Sequence, residues 1–234
     1  MMERPPNAMT TKRAAKKAKA KIIVVDDHPI VRQGLVQMIG HEADLEVCAE
    51  AEAAADALKA IAATNPDAAI VDLSLKGSSG LELLKDIRVR YPKLPVLVLS
   101  VYDESMYAER ALRAGARGYM MKEEAAEKVL TAIRRILSGQ IYLSENMASR
   151  LLHVLVDGRA ESGATPPERL SDRELEVFQL IGQGFGNTEI ARQLHLSPKT
   201  VETYRGHIKE KLNLAGSTEL LQYAIRWTQS LGGT

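Results

Sequence analysis

The chain alternates between two hydrophobic periods from residue 21 to residue 140, and this limits its fold more than any other feature. Short aliphatic runs lie at 22–25 (Ile22, Ile23, Val24, Val25), 45–49, 68–71, 96–99 and 117–121. Runs of this length without polar alternation fit strands buried on both faces, as in a parallel sheet. Between them the apolar residues return at helical spacing. Val31, Leu35, Met38 and Ile39 share one face, and Leu81, Leu84 and Ile87 another. Leu58 with Ile61, Ala108 with Ala111 and Leu112, and Val129 with Ile133 and Leu137 complete the set. Five strands alternating with five helices predict an α/β fold, a doubly wound five-stranded parallel sheet. Ligands in such folds sit beyond the carboxyl ends of the strands.

The remainder divides by composition. Residues 1–20 carry six Lys or Arg against Glu3 and are expected to form a basic flexible tail. Residues 141–165 are expected to be a linker with one helix over 143–156, followed by a stretch rich in Gly, Ser, Thr and Pro. Residues 166–234 have only helical periodicity and predict a small all-α domain. Aromatic residues are 4% of the chain, so aliphatic side chains must fill the cores, which argues against an aromatic-rich sandwich. The single cysteine, Cys48, excludes an internal disulfide framework. The five histidines have no Cys or His partners at zinc spacing. With no apolar run near ~20 residues and no secretory pattern, a cytoplasmic chain without membrane association is expected.

The polar residues at the strand ends carry the chemistry. Asp26 and Asp27 follow the first strand, Asp72 the third, Ser100 the fourth and Lys122 the fifth. All five face one crevice. Clustered carboxylates repel one another and invite a hard divalent cation, for which Mg²⁺ with carboxylate and water ligands is suited. Lys122 and the Ser100 hydroxyl stand where they would meet the oxygens of an incoming phosphoryl group. A nucleophilic carboxylate between a metal and a lysine has the positioning and charge balance that phosphoryl transfer needs.

The C-terminal segment has a different signature. Ser171-Asp172-Arg173-Glu174 forms a capping box ahead of an apolar run, and Gly182 and Gly184 end that helix. Gly182, Gly184 and Gly186 follow a helix rather than a strand, so a nucleotide-binding glycine loop is rejected. Asn187 is expected to cap a helix over 188–194. Ser197 caps a third helix with Pro198 at its first position. Ala191, a small residue, allows close packing of the second and third helices, as in a helix-turn-helix.

Residues 21–140 resemble the receiver domain of two-component response regulators. The resemblance rests on Val24-Val25-Asp26-Asp27-His28-Pro29, Val71-Asp72-Leu73-Ser74-Leu75 with Gly80, Leu99-Ser100, and Gly115 through Lys122. It implies that Asp72 accepts a phosphoryl group from a sensor histidine kinase. It also implies that Asp27, Asp72 and the Ser74 carbonyl hold Mg²⁺, with Asp26 helping through water. Ser100 would swing toward the phosphate, and Tyr119 would turn inward behind it, as a two-state switch. Two residues depart from the family pattern: Lys76 and Glu123 stand where proline is frequent.

Leu170 to Leu214 resembles the LuxR-type DNA-binding domain of NarL/FixJ-type regulators, through Asn187-Thr188-Glu189-Ile190-Ala191 and Leu196 to Tyr204. The resemblance implies that the third helix enters the major groove of double-stranded DNA. Glu202, Thr203 and Gly206 would face bases. Asn187, Lys199, Thr200, Arg205 and Lys209 would contact phosphates or groove edges. The net charge of residues 166–234 is zero, so a single domain should bind weakly and a homodimer formed on phosphorylation is expected. RNA polymerase is a further candidate partner.

The expected function is a transcriptional response regulator. Before phosphorylation the receiver is expected to cover the third helix. The alternative weighed is a transcription factor that works without phosphate and uses the receiver to bind other proteins. A haloacid-dehalogenase-like phosphatase would need D-x-D after the first strand, whereas here Asp26 and Asp27 are adjacent.

Overall fold

The computed structural model describes residues 18–75, 78–156 and 166–231. Most of the basic tail, Lys76 and the second half of the linker lie outside the described residues.

Five parallel strands form the central sheet: β1 (Ala20–Val25), β2 (Leu45–Ala51), β3 (Ala68–Val71), β6 (Val96–Ser100) and β7 (Gly118–Met121). Their order is β2-β1-β3-β6-β7. A small antiparallel hairpin, β4 (Ser74–Leu75) and β5 (Ser78–Ser79), follows β3. The aliphatic runs become strands because both faces are covered. Ile23, Val25, Ala69, Val71, Val96 and Val98 point to one face. Ile22, Val24, Ala68, Ile70, Leu97 and Leu99 point to the other. This period-two alternation separates two apolar cores. Helices α1 (Pro29–Gly40) and α5 (Ala125–Leu137) cover the second face. Helices α2 (Ala54–Thr64), α3 (Gly80–Arg90) and α4 (Glu104–Ala114) cover the first. The strand order reverses between β1 and β3, so the crevice lies at their carboxyl ends.

The expected strand positions agree with the structure to within two residues. The hairpin β4–β5 was not anticipated, because two-residue strands leave no periodic signal. The linker helix is α6 (Glu145–Val156). The all-α domain comprises α7 (Asp172–Gly182), α8 (Asn187–Gln193), α9 (Pro198–Leu212) and α10 (Ser217–Leu231). Its core places Phe178 against Tyr223 and Trp227. The capping box of α7 is present. Asn187, however, does not cap α8. Gly186 is the cap residue, and its N–H donates to Glu189 at 3.0 Å, which leaves the Asn187 side chain free for another partner. Among the described residues no helix is long and apolar enough to cross a membrane.

Candidate functional site

The sheet brings the predicted strand-end residues together. Asp72 leaves β3 with its N–H donating to the Val25 carbonyl at 2.9 Å, which sets it beside the end of β1. Asp26 and Asp72 are almost wholly buried, at 2% and 1% exposure. Lys122, at the end of β7, places its Nζ 2.8 Å from Asp26 and 2.7 Å from Asp72. One ammonium thus bridges two buried carboxylates. Ser74 opens β4 and donates its N–H to Asp72 Oδ1 at 3.2 Å. Gly80 closes this loop on itself, its N–H donating to Leu73 O at 2.8 Å. A Cβ at Gly80 would stand 2.3 Å from the Asp72 carbonyl oxygen, so only glycine fits there without displacing the loop.

His28 completes the crevice. Its Nδ1 lies 2.8 Å from Asp27, 3.2 Å from Asp26 and 3.6 Å from Asp72. The sequence motif included His28 without giving it a role, since a histidine beside two aspartates has no distinctive spacing. Hydrogen bonding to Asp72 raises its pKa despite burial and Lys122. Burial raises the Asp27 pKa, opposed by His28 and assisted by the neighbouring Asp72 and Asp26 charges. Burial pulls Lys122 down, but Asp72 and Asp26 more than offset it and hold the ammonium charged. Ligand atoms of Asp26, Asp27, His28 and Asp72 all lie within 4.8 Å of one another. The hard oxygens of this cluster fit a divalent cation such as Mg²⁺, which would relieve the mutual repulsion of its carboxylates.

Ser100 is fully buried at the end of β6, and its Oγ accepts the Tyr102 N–H at 3.2 Å. Tyr119 is already inward, at 1% exposure, and its hydroxyl donates to the Tyr102 carbonyl at 2.7 Å. The Tyr102 carbonyl thus satisfies the buried hydroxyl. Tyr102 also stacks on Tyr107 at 4.7 Å between ring centroids. Glu123 lies in a short 3-10 turn, Lys122–Glu124, that leads into α5.

On the all-α domain, Lys199, Glu202 and Thr203 are exposed on α9, and Thr200, Arg205, Gly206 and Lys209 are partly exposed. Ser197 caps α9 through the Thr200 N–H at 3.0 Å and also contacts the Thr200 hydroxyl. Thr203 Oγ1 donates back to Lys199 O. Asn187 Nδ2 donates to Glu202 at 2.6 Å, which ties the start of α8 to the outer face of α9. Nothing lies within 4 Å of a Cβ at Gly206, so this turn of α9 presents an open slot.

The expectation that the receiver covers the third helix is not met. The helix packed on the receiver is α7. Arg110 of α4 donates to Leu170 O at 2.9 Å and pairs with Asp172 at 3.0 Å, and Lys85 of α3 pairs with Asp172 at 2.9 Å. Glu176, in the middle of α7, is buried and accepts from Ser79 Oγ at 3.0 Å. The physical reason lies in α7 itself: Glu174 through Ile181 are all buried, so both of its faces need a partner. Sequence reading missed this contact, because Glu176 looks like the solvent side of an amphipathic helix.

Known proteins share the succession of these two domains. The family profile "Response regulator receiver domain" matches residues 22–134, and "Bacterial regulatory proteins, luxR family" matches residues 168–224. The oxygen regulatory protein NreC of Staphylococcus carnosus is 37% identical over 210 residues, covering 88% of this chain and 97% of that protein. The RcsB response regulator of Salmonella typhimurium aligns with a TM-score of 0.64 at 26% identity, over 89% of this chain and 98% of that one. A structure of RcsB from Salmonella enterica serovar Typhimurium bound to the promoter rprA with the phosphomimetic BeF3- aligns at 0.58 and 27% identity, over 88% and 98%. The parallel sheet and the all-α domain agree with these matches, and the chain belongs to the two-component DNA-binding response regulators that join a receiver to a LuxR-type helix-turn-helix.

Proposed function

We propose that Asp72 is the phosphoryl acceptor and that its charge state governs DNA binding by α9. The observation that carries this reading is the Lys122 ammonium set 2.7 Å from Asp72 and 2.8 Å from Asp26 inside a buried carboxylate cluster. The Asp72 carboxylate attacks phosphorus, the bond to the imidazole nitrogen of a sensor kinase's phosphohistidine breaks, and the imidazole leaves with that electron pair. Asp27, Asp72 and the Ser74 carbonyl, with Asp26 through water, would hold Mg²⁺, which would supply charge neutralisation. Lys122 keeps its proton throughout and meets the phosphoryl oxygens. Ser100 exchanges its bond to the Tyr102 N–H for one to the aspartyl phosphate, while Tyr119 is already seated behind it.

The crevice modifies its own aspartate and turns over no other substrate. In this reading the chain comprises a receiver over 21–140, a linker over 141–165 and a DNA-binding domain over 166–234. In the reading proposed here α9 enters the major groove. Glu202, Thr203 and Gly206 face base edges, and Asn187, Lys199, Thr200, Arg205 and Lys209 face the backbone or groove edges. A homodimer on paired half-sites compensates for the zero net charge of the DNA-binding domain. The chain works in the cytoplasm, where its kinase and promoter are accessible. Pools of random duplex DNA, selected by wild-type protein with and without acetyl phosphate, test the reading. Phosphate-dependent enrichment of paired half-sites that Asp72→Asn abolishes is expected. Equal enrichment by Asp72→Asn would overturn it.

A further inference from the structure

The loop that holds Asp26 and Asp27 is pinned from α1 by a side chain that has no part in the mechanism above. Arg32 donates from Nη1 to the Asp26 carbonyl oxygen at 2.7 Å, from Nε to Glu50 at 3.2 Å and from Nη2 to Glu52 at 2.8 Å. On the reading of the crevice as a Mg²⁺-dependent phosphoryl acceptor, we infer that Arg32 is a positioning residue for metal binding. Its guanidinium fixes the peptide between Asp26 and Asp27, and thereby holds both carboxylates in register with Asp72.

The local sequence explains the reach. Three residues, Asp26 to His28, join the end of β1 to the start of α1. Arg32 lies on the first turn of α1, where its N–H donates to the His28 carbonyl at 3.1 Å. Side chains on a helix lean toward its N-terminus, so from this position the guanidinium returns over the loop. Two further bonds tie the same residues. The Asp26 N–H donates to Ala51 O at 3.1 Å, and Asp26 Oδ1 accepts the His28 N–H at 2.8 Å. The Asp26 carbonyl belongs to the peptide that leads into Asp27. Both carboxylates project from the residues that this peptide joins, so freeing it widens their range relative to Asp72.

Charge and geometry act separately at this residue. A lone cation beside the crevice would repel Mg²⁺. Glu50 and Glu52, at the end of β2 and just beyond it, offset that charge, so Arg32 clamps the loop without opposing the metal. The Arg32 side chain is 13% exposed, whereas each glutamate is 46% exposed. Ion pairs to carboxylates this exposed contribute little to stability. The planar guanidinium instead presents donors at fixed angles to three acceptors, which the single ammonium nitrogen of a lysine does not match. Groups that orient metal-binding side chains typically carry about 10- to 100-fold of metal affinity.

Calorimetric titration of the full-length chain with Mg²⁺ tests the inference, with wild type beside Arg32→Lys and Arg32→Gln. Arg32→Lys keeps the charge and loses the fork, and Arg32→Gln loses both. Positioning predicts that both variants bind Mg²⁺ more weakly, by roughly 10-fold. Action through charge alone predicts wild-type affinity in Arg32→Lys and tighter binding in Arg32→Gln, which has shed a positive charge. A purely structural role lowers the melting temperature and leaves the Mg²⁺ affinity of the folded variants unchanged. The Mg²⁺ concentration giving half-maximal phosphoryl uptake from acetyl phosphate should rise in step with the dissociation constant. Circular dichroism checks folding, and Arg32→Lys decides alone if Arg32→Gln does not fold. Wild-type Mg²⁺ affinity in Arg32→Lys, or tighter binding by Arg32→Gln, overturns the inference. A wild type that binds no Mg²⁺ overturns the crevice reading together with it. Mg²⁺ binding without phosphoryl uptake by wild type overturns the acceptor reading alone, and the titrations then still decide the role of Arg32.

Discussion

Replacing Lys122 by Met removes one charge from the crevice and keeps an apolar stem of similar length. The Lys122 Nζ neutralises two carboxylates at 2.7 and 2.8 Å, and its side chain is only 8% exposed. At an effective dielectric of ~20 each attraction is worth about 6 kcal/mol before desolvation is subtracted. Removing one partner of a buried pair costs 3–5 kcal/mol, because the charge left behind is uncompensated. His28 Nδ1, within 3.6 Å of all three aspartates, leaves the carboxylates a remaining polar partner and sets the expectation near the lower limit, about 3 kcal/mol. At roughly 2–4 °C per kcal/mol for a chain of this size, the receiver transition should fall by roughly 6–12 °C. Millimolar Mg²⁺ should restore part of the loss, since the cation replaces the missing charge. Differential scanning calorimetry at neutral pH measures both effects, and Lys128→Met, at an exposed pair with Glu124, is the control expected to leave the transition unchanged. A Lys122→Met protein that melts with wild type, or gains nothing from Mg²⁺, refutes the reasoning.

Three further outcomes follow from the geometry. Gly80→Ala places a Cβ 2.3 Å from the Asp72 carbonyl oxygen and 2.5 Å from the Leu73 Cα, so urea denaturation should show a loss of about 1–3 kcal/mol, with slower phosphoryl uptake. Burial raises the Glu174 pKa, but Lys211 and Ser171 outweigh it and hold the carboxyl below its ordinary 4.5. A lowered folded-state pKa means that this contribution is complete above 4.5 and is lost as pH falls through the folded value. Glu174→Gln should therefore lower helix-turn-helix stability by about 1 kcal/mol at neutral pH and flatten the acid limb of its melting curve. Asn187→Ala releases Glu202 from its 2.6 Å bond. Base preference beneath Glu202 should relax by roughly tenfold in selected DNA pools, about the value of one base contact, while overall affinity changes little.

The receiver was legible because one physical rule wrote it twice. Strands covered on both faces must be continuously apolar, and a crevice at their carboxyl ends must carry the polar residues. Val24 to Asp27 and Val71 with Asp72 show both halves of that rule in a few residues. The capping box at Ser171 and the Ser197–Pro198 start of α9 were equally direct, because caps act within one turn. Three features escaped. The cap of α8 moved to Gly186 because Glu189 took over the capping bond, a choice that depends on side-chain geometry as well as residue type. The hairpin at Ser74–Leu75 is too short to have a period. The burial of Glu176 depends on how two domains meet, and an acid on the polar side of a helix carries no local mark of a partner 97 residues earlier in the chain.

Intact-mass spectrometry of the folded protein after incubation with Mg²⁺ and acetyl phosphate, wild type beside Asp72→Asn, tests the central claim most directly. The account predicts a gain of one phosphoryl group in wild type alone, lost again in alkali as an acyl phosphate should be. A phosphoryl gain of equal size in Asp72→Asn, or none in wild type under conditions where Mg²⁺ binding is demonstrated, would contradict it.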